Sequence, residues 1–276
     1  MLFRSGDGIR LQGTATKGVR LAQEPSIESA LYSIDIKRGT VLARVGGYDY
    51  QTAGFDRVHQ AMRQPGSAFK PFLYASALAN GSTPASIVMD TPVVFDSAQS
   101  DDFWRPENYK NKFAGPVPLR NALEHSRNLA SIKVLQNVGI RRFLNDLELY
   151  PLQRKFPAQL ALALGATEVS LEALTNSYAI MADQGRRWQP VSLQQVQDRT
   201  GNSLHRSVSG NRCQVCHVNP VMSANASMRP AEQALDPVDS FLITNIMKVV
   251  VENATGRPAR ATNRSASGNT GTTNKQ

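Results

Sequence analysis

A serine and a lysine three positions apart, Ser67 and Lys70, are the residues whose types and spacing first suggest chemistry. They follow the turn-forming pair Pro65-Gly66 and precede an apolar run. Pro71 is typical of a first helical turn, where backbone N–H groups lack intrahelical partners. Residues three apart share one helix face, so this hydroxyl and amine can form a nucleophile–base pair. The positive helix N-terminus would disfavour the ammonium form of Lys70 and favour an oxyanion beside the Ser67 N–H.

Ser-x-x-Lys is a weak signal alone, because such short patterns of common residues also arise by chance, as an N-cap serine followed by a solvated lysine. Two later segments give it weight. Ser126-Arg127-Asn128 lies inside an apolar helical region, Leu119 to Val138, and Asn269-Thr270-Gly271-Thr272-Thr273 opens the last predicted strand.

Strands are predicted near both ends of the chain, with helices between them. Two β-rich runs, 30–36 and 40–47, flank Lys37-Arg38-Gly39 and predict a hairpin. Helices are predicted over 119–138, 140–149, 170–184 and 237–253, with a buried run at 160–165 and a strand pair within 191–204. We therefore expect an α+β fold in which one antiparallel sheet, joining the hairpin and the C-terminal strand, is covered by helices.

Composition limits the possible partners. The 276 residues are 41% hydrophobic, enough to bury a sizeable core, and the net charge of +9 suits anionic partners. The basic residues are scattered without a Lys/Arg block interleaved with aromatics, which argues against nucleic-acid binding. We find no apolar run long enough to span a membrane, and Met1 to Asp7 lacks the apolar centre of a signal peptide.

The predicted organisation is a linker, or the end of a preceding module, over 1–25, followed by one domain over 26–276. A polar insertion at about 203–230 contains Cys213, Cys216 and His217, which spell the haem-attachment pattern Cys-x-x-Cys-His. Its surroundings provide no amphipathic helices to enclose a macrocycle, so we expect neither haem nor another cofactor. A metal site with His205, a local disulfide and two free thiols stay open alternatives.

Ser-x-x-Lys, Ser-x-Asn and a Lys-Thr-Gly-like strand, in this order, form the three-part site of penicillin-recognising serine enzymes. Over about residues 24 to 276, the chain resembles the transpeptidase domain of class A, bifunctional penicillin-binding proteins. The resemblance also covers the hairpin region 32–47 and the segments 64–72, 104–109, 115–123, 164–170 and 272–274.

The resemblance implies an extracytoplasmic enzyme without metal or cofactor, acting on peptidoglycan stem peptides and binding β-lactams, with a membrane anchor expected only in a full-length chain. Ser67 would be the nucleophile that attacks the D-Ala-D-Ala carbonyl, and Lys70 its general base. Ser126 would relay the proton to the departing D-Ala, and Asn128 would bind Lys70 and the substrate amide. The N–H groups of Ser67 and Thr272 would form the oxyanion hole.

The substrate carboxylate would lie against the last strand, where Asn269, Thr270, Gly271 and Thr272 are the candidate binding residues. Trp104 either walls the cleft or is an ordinary buried aromatic. The family has a lysine where this chain has Asn269, and losing that cation should raise the pKa of Lys70. The family fold also continues beyond Gln276, so we expect a truncated or degenerate copy, or a fragment of a longer chain.

Two other functions compete. A catalytically impaired remnant or scaffold, at most able to bind β-lactams, is consistent with Asn269 and the incomplete domain. A serine β-lactamase needs a deacylating base, and Glu172-Ala173-Leu174-Thr175-Asn176 superficially supplies its Glu-x-x-x-Asn pattern. These residues follow an apolar helical repeat, which makes a helix surface the better interpretation.

Overall fold

The computed structural model describes residues 11–14, 18–21, 25, 27–96, 103–108, 111–152, 155–207 and 232–271. Helices fill the middle of the chain and antiparallel strand pairs surround them, which confirms the predicted α+β class. The helices are α1 (Tyr50–Ala53), α2 (Lys70–Ala79), α3 (Leu119–Glu124), α4 (Asn128–Val138), α5 (Ile140–Leu147), α6 (Leu171–Ala182) and α7 (Pro237–Asn253). Short 3-10 segments lie at Gly66–Phe69, Leu160–Leu164 and Arg257–Thr262.

The strands of the described ranges form two-stranded antiparallel pairs instead of the single sheet we expected. They are β1 (Leu11–Thr14), β2 (Gly18–Leu21), β3 (Leu31–Asp35), β4 (Thr40–Val45), β5 (Ile87–Asp90), β6 (Phe95–Asp96), β7 (Phe103–Trp104), β8 (Gly115–Pro118), β9 (Arg186–Arg187), β10 (Gln195–Gln197), β11 (Ser203–Arg206) and β12 (Glu232–Gln233). The pairs are β1–β2, β3–β4, β5–β8, β6–β7, β9–β12 and β10–β11.

Both ends of the chain differ from the sequence-based expectation in detail. The predicted hairpin is present as β3–β4, and within the described residues it is extended by a parallel bridge from Thr40 to Val191. Residues of the predicted linker pair as β1–β2. Thr270 and Gly271 are irregular, and the rest of the predicted last strand lies outside the described residues, as do Cys213, Cys216 and His217.

The helical region over residues 119–138 is two helices and not one. The chain leaves α3 at His125, Ser126 adopts a left-handed conformation with φ of 51°, and α4 begins at Asn128. The N–H groups of Ser126 and Arg127 close the end of α3 by donating to the carbonyls of Leu123 and Ala122. Apolar periodicity continues across this break, which is why the pattern indicated one helix.

Helix α2 lies at the centre of the core, packed against α3, α4, α5 and α7. Its residues from Lys70 to Leu78 are all buried, as in a helix enclosed by protein on every side. Aromatic rings surround its first turns: Phe72 makes edge contacts with Tyr150 and Tyr178, and Phe69 packs on Phe143. Burying each such ring contributes about 1.5–3 kcal/mol, so the core fixes where α2 starts.

No helix in the described ranges is long and apolar enough to cross a membrane.

The turn before α2 packs directly on the segment that ends at Gly165. The Gly66 N–H donates to the Gly165 carbonyl at 3.3 Å, and Arg63 pairs with Val169 in an antiparallel bridge. Gly165 is left-handed, with φ of 69°, and a Cβ there would lie 2.1 Å from the Gly66 oxygen. The absence of a side chain at residue 165 therefore allows this close approach.

Gly165→Ala should destabilise the fold through both backbone strain and overlap with Gly66. Gly54→Ala is the matched control, because Gly54 is also left-handed, with φ of 59°, but has open space around its Cβ position. Strain alone costs about 1–2 kcal/mol. We expect thermal unfolding to show a decrease in Tm at least twice as large for Gly165→Ala as for Gly54→Ala. Equal decreases in Tm for Gly165→Ala and Gly54→Ala would show that Gly165 and Gly66 are not tightly packed.

Candidate functional site

Ser67 lies in the 3-10 turn Gly66–Phe69, which leads directly into α2 at Lys70. The Ser67 carbonyl accepts the N–H of Lys70, so the two residues belong to one continuous turn. The Ser67 side chain is half-buried, whereas Lys70 is 0% exposed. Pro71 occupies the start of α2, as the sequence predicted, where it removes no helical hydrogen bond.

The buried Lys70 ammonium is surrounded by acceptors from the connection between α3 and α4. Its Nζ donates to the Ser126 carbonyl at 2.7 Å, the Ser126 hydroxyl at 3.0 Å and the Asn128 Oδ1 at 2.7 Å. A lysine ammonium has three N–H donors, so these contacts satisfy it. The structure thus brings together three of the predicted site residues, from segments 56 and 58 positions apart.

The left-handed conformation of Ser126 lets its carbonyl and its hydroxyl approach the same amine. Non-glycine residues held in this region carry strain of about 1–3 kcal/mol, which the surrounding structure must offset. Asn128, which also accepts from Lys70, donates its Nδ2 to the Glu107 carbonyl at 2.8 Å. That bond orients the amide so that its oxygen faces Lys70.

Burial lowers the pKa of Lys70 to about 7, because removing water disfavours the ammonium form. The negative charge of Asp90 acts in the opposite direction and raises the pKa of Lys70, but less strongly. The lysine is therefore balanced between its two protonation states near neutral pH. A neutral amine keeps one lone pair, which could accept a proton from a nearby hydroxyl.

The hydroxyl of Ser67 makes no hydrogen bond to Lys70 in this structure, although both residues are described. Catalytic hydrogen bonds are often long before substrate binds and shorten in the reactive complex. The turn is held in place through a backbone carbonyl, because the Tyr178 hydroxyl donates to the Ala68 carbonyl at 2.7 Å.

The segment Asn269–Gly271 packs against the same turn. The Asn269 Nδ2 donates to the Ser67 carbonyl at 2.9 Å, and its Oδ1 accepts the Thr270 N–H at 2.9 Å. A Cβ on Gly271 would lie 2.4 Å from the Pro65 oxygen, so this glycine makes a close backbone contact. The Thr270 hydroxyl donates to the Thr255 hydroxyl, while Thr272 lies outside the described residues.

The remaining candidates have other contacts. Trp104 is partly buried and stacks on Phe95 with ring centroids 5.3 Å apart. Glu172 accepts from His59 Nδ1 at 2.7 Å and lies 3.9 Å from Arg44, so its carboxylate binds side chains of β4 and of the segment before α2. His205 contacts Ser207 at 3.2 Å. In the described part of the chain, no group of three or more His, Cys, Asp or Glu could hold a metal ion.

Two buried residues beside the site were missed by sequence reasoning. Asp90 ends β5 with 0% exposure, and Asn108, 6% exposed, follows β7. Asn108 accepts the N–H of Asn128 at 2.8 Å and donates to Asp90 at 2.6 Å. Asn108 was within the segment 104–109 that carries the family resemblance, but no local pattern revealed its partners, which lie 18 and 20 positions away.

Comparisons with known proteins are consistent with this geometry. The family model "Penicillin binding protein transpeptidase domain" matches residues 30–276. Penicillin-binding protein 1A of Pseudomonas aeruginosa is 35% identical over 98% of this chain, which covers 37% of that relative, and the protein of the same name from Rickettsia conorii is 33% identical over 99%, covering 35%. The chain thus spans just over a third of the length of these relatives.

Solved structures share the fold. The crystal structure of Penicillin-Binding Protein 1A from Haemophilus influenzae has a TM-score of 0.77 at 28% identity, covering 90% of this chain and 38% of that one. PonA1 from Mycobacterium tuberculosis, solved in complex with penicillin V, has a TM-score of 0.64 at 20% identity, covering 80% and 55%. The family-model match over residues 30–276, together with 35% identity to the Pseudomonas aeruginosa protein over 98% of this chain, shows that this chain belongs to the transpeptidase domain family of the penicillin-binding proteins.

Proposed function

We propose that this chain is a peptidoglycan D,D-transpeptidase domain that cross-links stem peptides through an acyl-serine intermediate and is acylated by β-lactams. The observation that carries the proposal is the buried Lys70 amine, held by Ser126 and Asn128 beside the turn that presents Ser67. Family membership supports the reaction class, and PonA1, which shares the fold, was solved in complex with penicillin V.

The first half-reaction transfers an acyl group to Ser67. Its hydroxyl oxygen attacks the carbonyl of the penultimate D-Ala while neutral Lys70 takes the hydroxyl proton. The carbonyl oxygen becomes an oxyanion near the Ser67 N–H, in a helical first turn where N–H groups lack intrahelical partners. When the C–N bond breaks, the proton passes through the Ser126 hydroxyl to the departing amine of the terminal D-Ala, and the acyl-serine ester remains.

The second half-reaction regenerates the enzyme. The amine of another stem peptide attacks the ester, Lys70 and Ser126 return its proton to the Ser67 oxygen, and a new amide bond forms. Asn128 would hold Lys70 and the substrate amide, and Trp104 would border the cleft. The carboxylate of the substrate would bind at the segment containing Asn269, Thr270, Gly271 and Thr272.

This reaction places the domain outside the cytoplasm, at the cell wall, where stem peptides and β-lactams occur. The net charge of +9 suits an anionic cell-wall surface. No step in the scheme requires a metal ion or an organic cofactor.

A second candidate function is supported by one residue. Asn269 is neutral where the family has a cation, which favours a catalytically impaired remnant that at most binds β-lactams. The two functions differ in whether Ser67 forms a covalent adduct at a measurable rate.

Labelled penicillin should attach covalently at Ser67, because this hydroxyl lies one turn from the buried amine. Peptide mass mapping of the full chain identifies the site, and Ser67→Ala should abolish labelling while the exposed Ser29→Ala leaves it unchanged. An adduct on another residue, or undiminished labelling of Ser67→Ala, would contradict the proposal. Absent labelling in the folded wild type would favour the remnant, and rapid release of the adduct would favour a β-lactamase.

The acylation rate should increase with pH through a midpoint near 7. Lys70 accepts a proton only when neutral, and burial lowers its pKa to about 7, so the amine is charged and inactive below that value. The second-order acylation rate constant, measured with a fluorescent penicillin from about pH 5 to 9, shows this increase, which is the acid limb of the pH–rate profile. A rate independent of pH over this range would show that Lys70 is not the base.

Asn269→Lys should increase acylation by about tenfold or more, since a charge-assisted hydrogen bond to the substrate carboxylate is stronger than a neutral one by about 1.4 kcal/mol. A cation there should also lower the pKa of Lys70 and shift the acid limb to lower pH.

The control for this change is Asn269→Met, which removes the hydrogen bond to the Ser67 carbonyl without adding charge. It should acylate no faster than wild type. Identical rates and pH profiles for Asn269→Lys and wild type would show that Asn269 serves the subsite as well as a lysine does.

A further inference from the structure

A buried polar pair, Asp90 and Asn108, lies behind the residues that contact Lys70. Asp90 is fully buried at the end of β5, and Asn108 is 6% exposed in the segment after β7. The Asn108 Nδ2 donates to the Asp90 Oδ1 at 2.6 Å. Buried polar groups are costly unless their hydrogen bonds are complete, so the remaining contacts of the pair show what it holds.

Asn108 makes all four hydrogen bonds that its amide allows. Besides Asp90, its Nδ2 donates to the Lys112 carbonyl at 3.0 Å, and its Oδ1 accepts the N–H groups of Asn128 at 2.8 Å and Leu129 at 3.2 Å. These two N–H groups open α4, whose own N-cap residue, Arg127, makes no side-chain cap. Asn108 therefore caps α4 from a distant segment.

The second oxygen of Asp90 holds the other side of the same connection. The Asp90 Oδ2 accepts from Arg127 Nη1 at 2.8 Å and from the Ala114 N–H at 3.0 Å. Arg127 lies between Ser126 and Asn128 in the sequence, so the Asp90 carboxylate constrains the connection between α3 and α4 directly through the Arg127 side chain. It also constrains the backbone of this connection indirectly, through Asn108. As an ion it can only accept, which fixes the Asn108 amide with its nitrogen toward Asp90.

We propose that Asp90 and Asn108 act as a positioning pair that holds Ser126 and Asn128 against the Lys70 amine. The inference rests on the proposed acylation of Ser67 and adds two residues that do not touch the substrate. In this role Asp90 and Asn108 fix the positions of the proton-transfer groups. Each hydrogen-bonds to the connection between α3 and α4, and neither hydrogen-bonds to Lys70.

The pair also influences Lys70 electrostatically. The charge of Asp90 raises the pKa of Lys70 against the larger effect of burial. Among the described residues, the other charged or titratable side chains that hydrogen-bond in this network are Arg127, paired with Asp90, and Tyr74, one turn beyond Lys70 on α2. Glu107 and Lys112 contribute backbone carbonyls to the network. Tyr74 stays neutral near pH 7, because burial raises its pKa. Loss of the Asp90 charge should therefore move the acid limb of acylation to lower pH.

An exchange of the two side chains tests the pair. Asp90→Asn places an amide nitrogen against another donor, either the Asn108 nitrogen or the N–H groups of Arg127 and Ala114. Asn108→Asp places two carboxylates in contact. The double variant Asp90→Asn/Asn108→Asp reverses the donor and acceptor, so residue 108 can still accept the N–H groups of Asn128 and Leu129. The exchange loses the donor to the Lys112 carbonyl, and the Arg127–Asp90 ion pair becomes a hydrogen bond to a neutral amide oxygen.

We expect each single variant to acylate about tenfold or more slowly at its pH optimum than wild type, and the exchange to recover to within about threefold. Asp90→Asn should shift the acid limb to lower pH, and the exchange should return it toward the wild-type position. The proposal would be overturned if the single variants kept wild-type acylation rates and pH profiles. It would also be overturned if the double variant were acylated no faster than the slower single variant.

Two further measurements separate positioning from stability and from the reaction itself. Asp146→Asn is the matched control, because Asp146 also accepts from two side chains, Ser76 and Asn80, but has no contact with this connection. It should lower Tm without shifting the acid limb. Asn108→Ala is a milder change that buries no second charge and should still slow acylation about tenfold or more.

Amide hydrogen exchange at Asn128 and Leu129 reports positioning without any acylation. Their N–H groups should lose protection from hydrogen exchange in the single variants and regain it in the double variant Asp90→Asn/Asn108→Asp. If wild type is not acylated, the proposed function fails while this measurement still tests the pair. Unchanged protection in all variants would overturn the positioning role.

Discussion

The burial of one amine is the constraint on which the rest of this structure depends. Lys70 is fully enclosed within the core, and an ammonium ion there is unstable unless its donors are satisfied. Its acceptors come from the connection between α3 and α4, whose conformation is itself strained at Ser126. The same burial that makes the amine costly lowers its pKa into the range where it can exchange a proton near neutral pH.

This requirement extends outward through several layers of structure. Aromatic packing around Phe69 and Phe72 fixes the start of α2, and the close contact of Gly66 with Gly165 fixes the turn before it. On the opposite side, Asn108 caps α4. Hydrogen-bonded polar groups in a low-dielectric interior strengthen one another, so the rigidity of the site belongs to the network and not to one bond.

Local signals in the sequence predicted the parts of the fold that local chemistry determines. Pro71 and Pro237 marked helix starts, and Gly39 marked the turn of the β3–β4 hairpin. The order of the three motifs predicted the grouping of Lys70 with Ser126 and Asn128. The break at Ser126 was missed because apolar periodicity continues through it, and a left-handed serine has no signature in a helical pattern. The Asp90–Asn108 contact joins β5 to a distant loop, and such a pairing depends on tertiary structure that one sequence does not encode locally.

The proposed acylation requires that Lys70 is neutral in a large fraction of molecules at pH 7. Titration of lysine side chains by NMR in the full chain, with the Lys70 signal assigned from Lys70→Met, measures this directly. We expect a midpoint near 7 for Lys70. A midpoint at about 10.4, the ordinary value for a lysine in water, would contradict it.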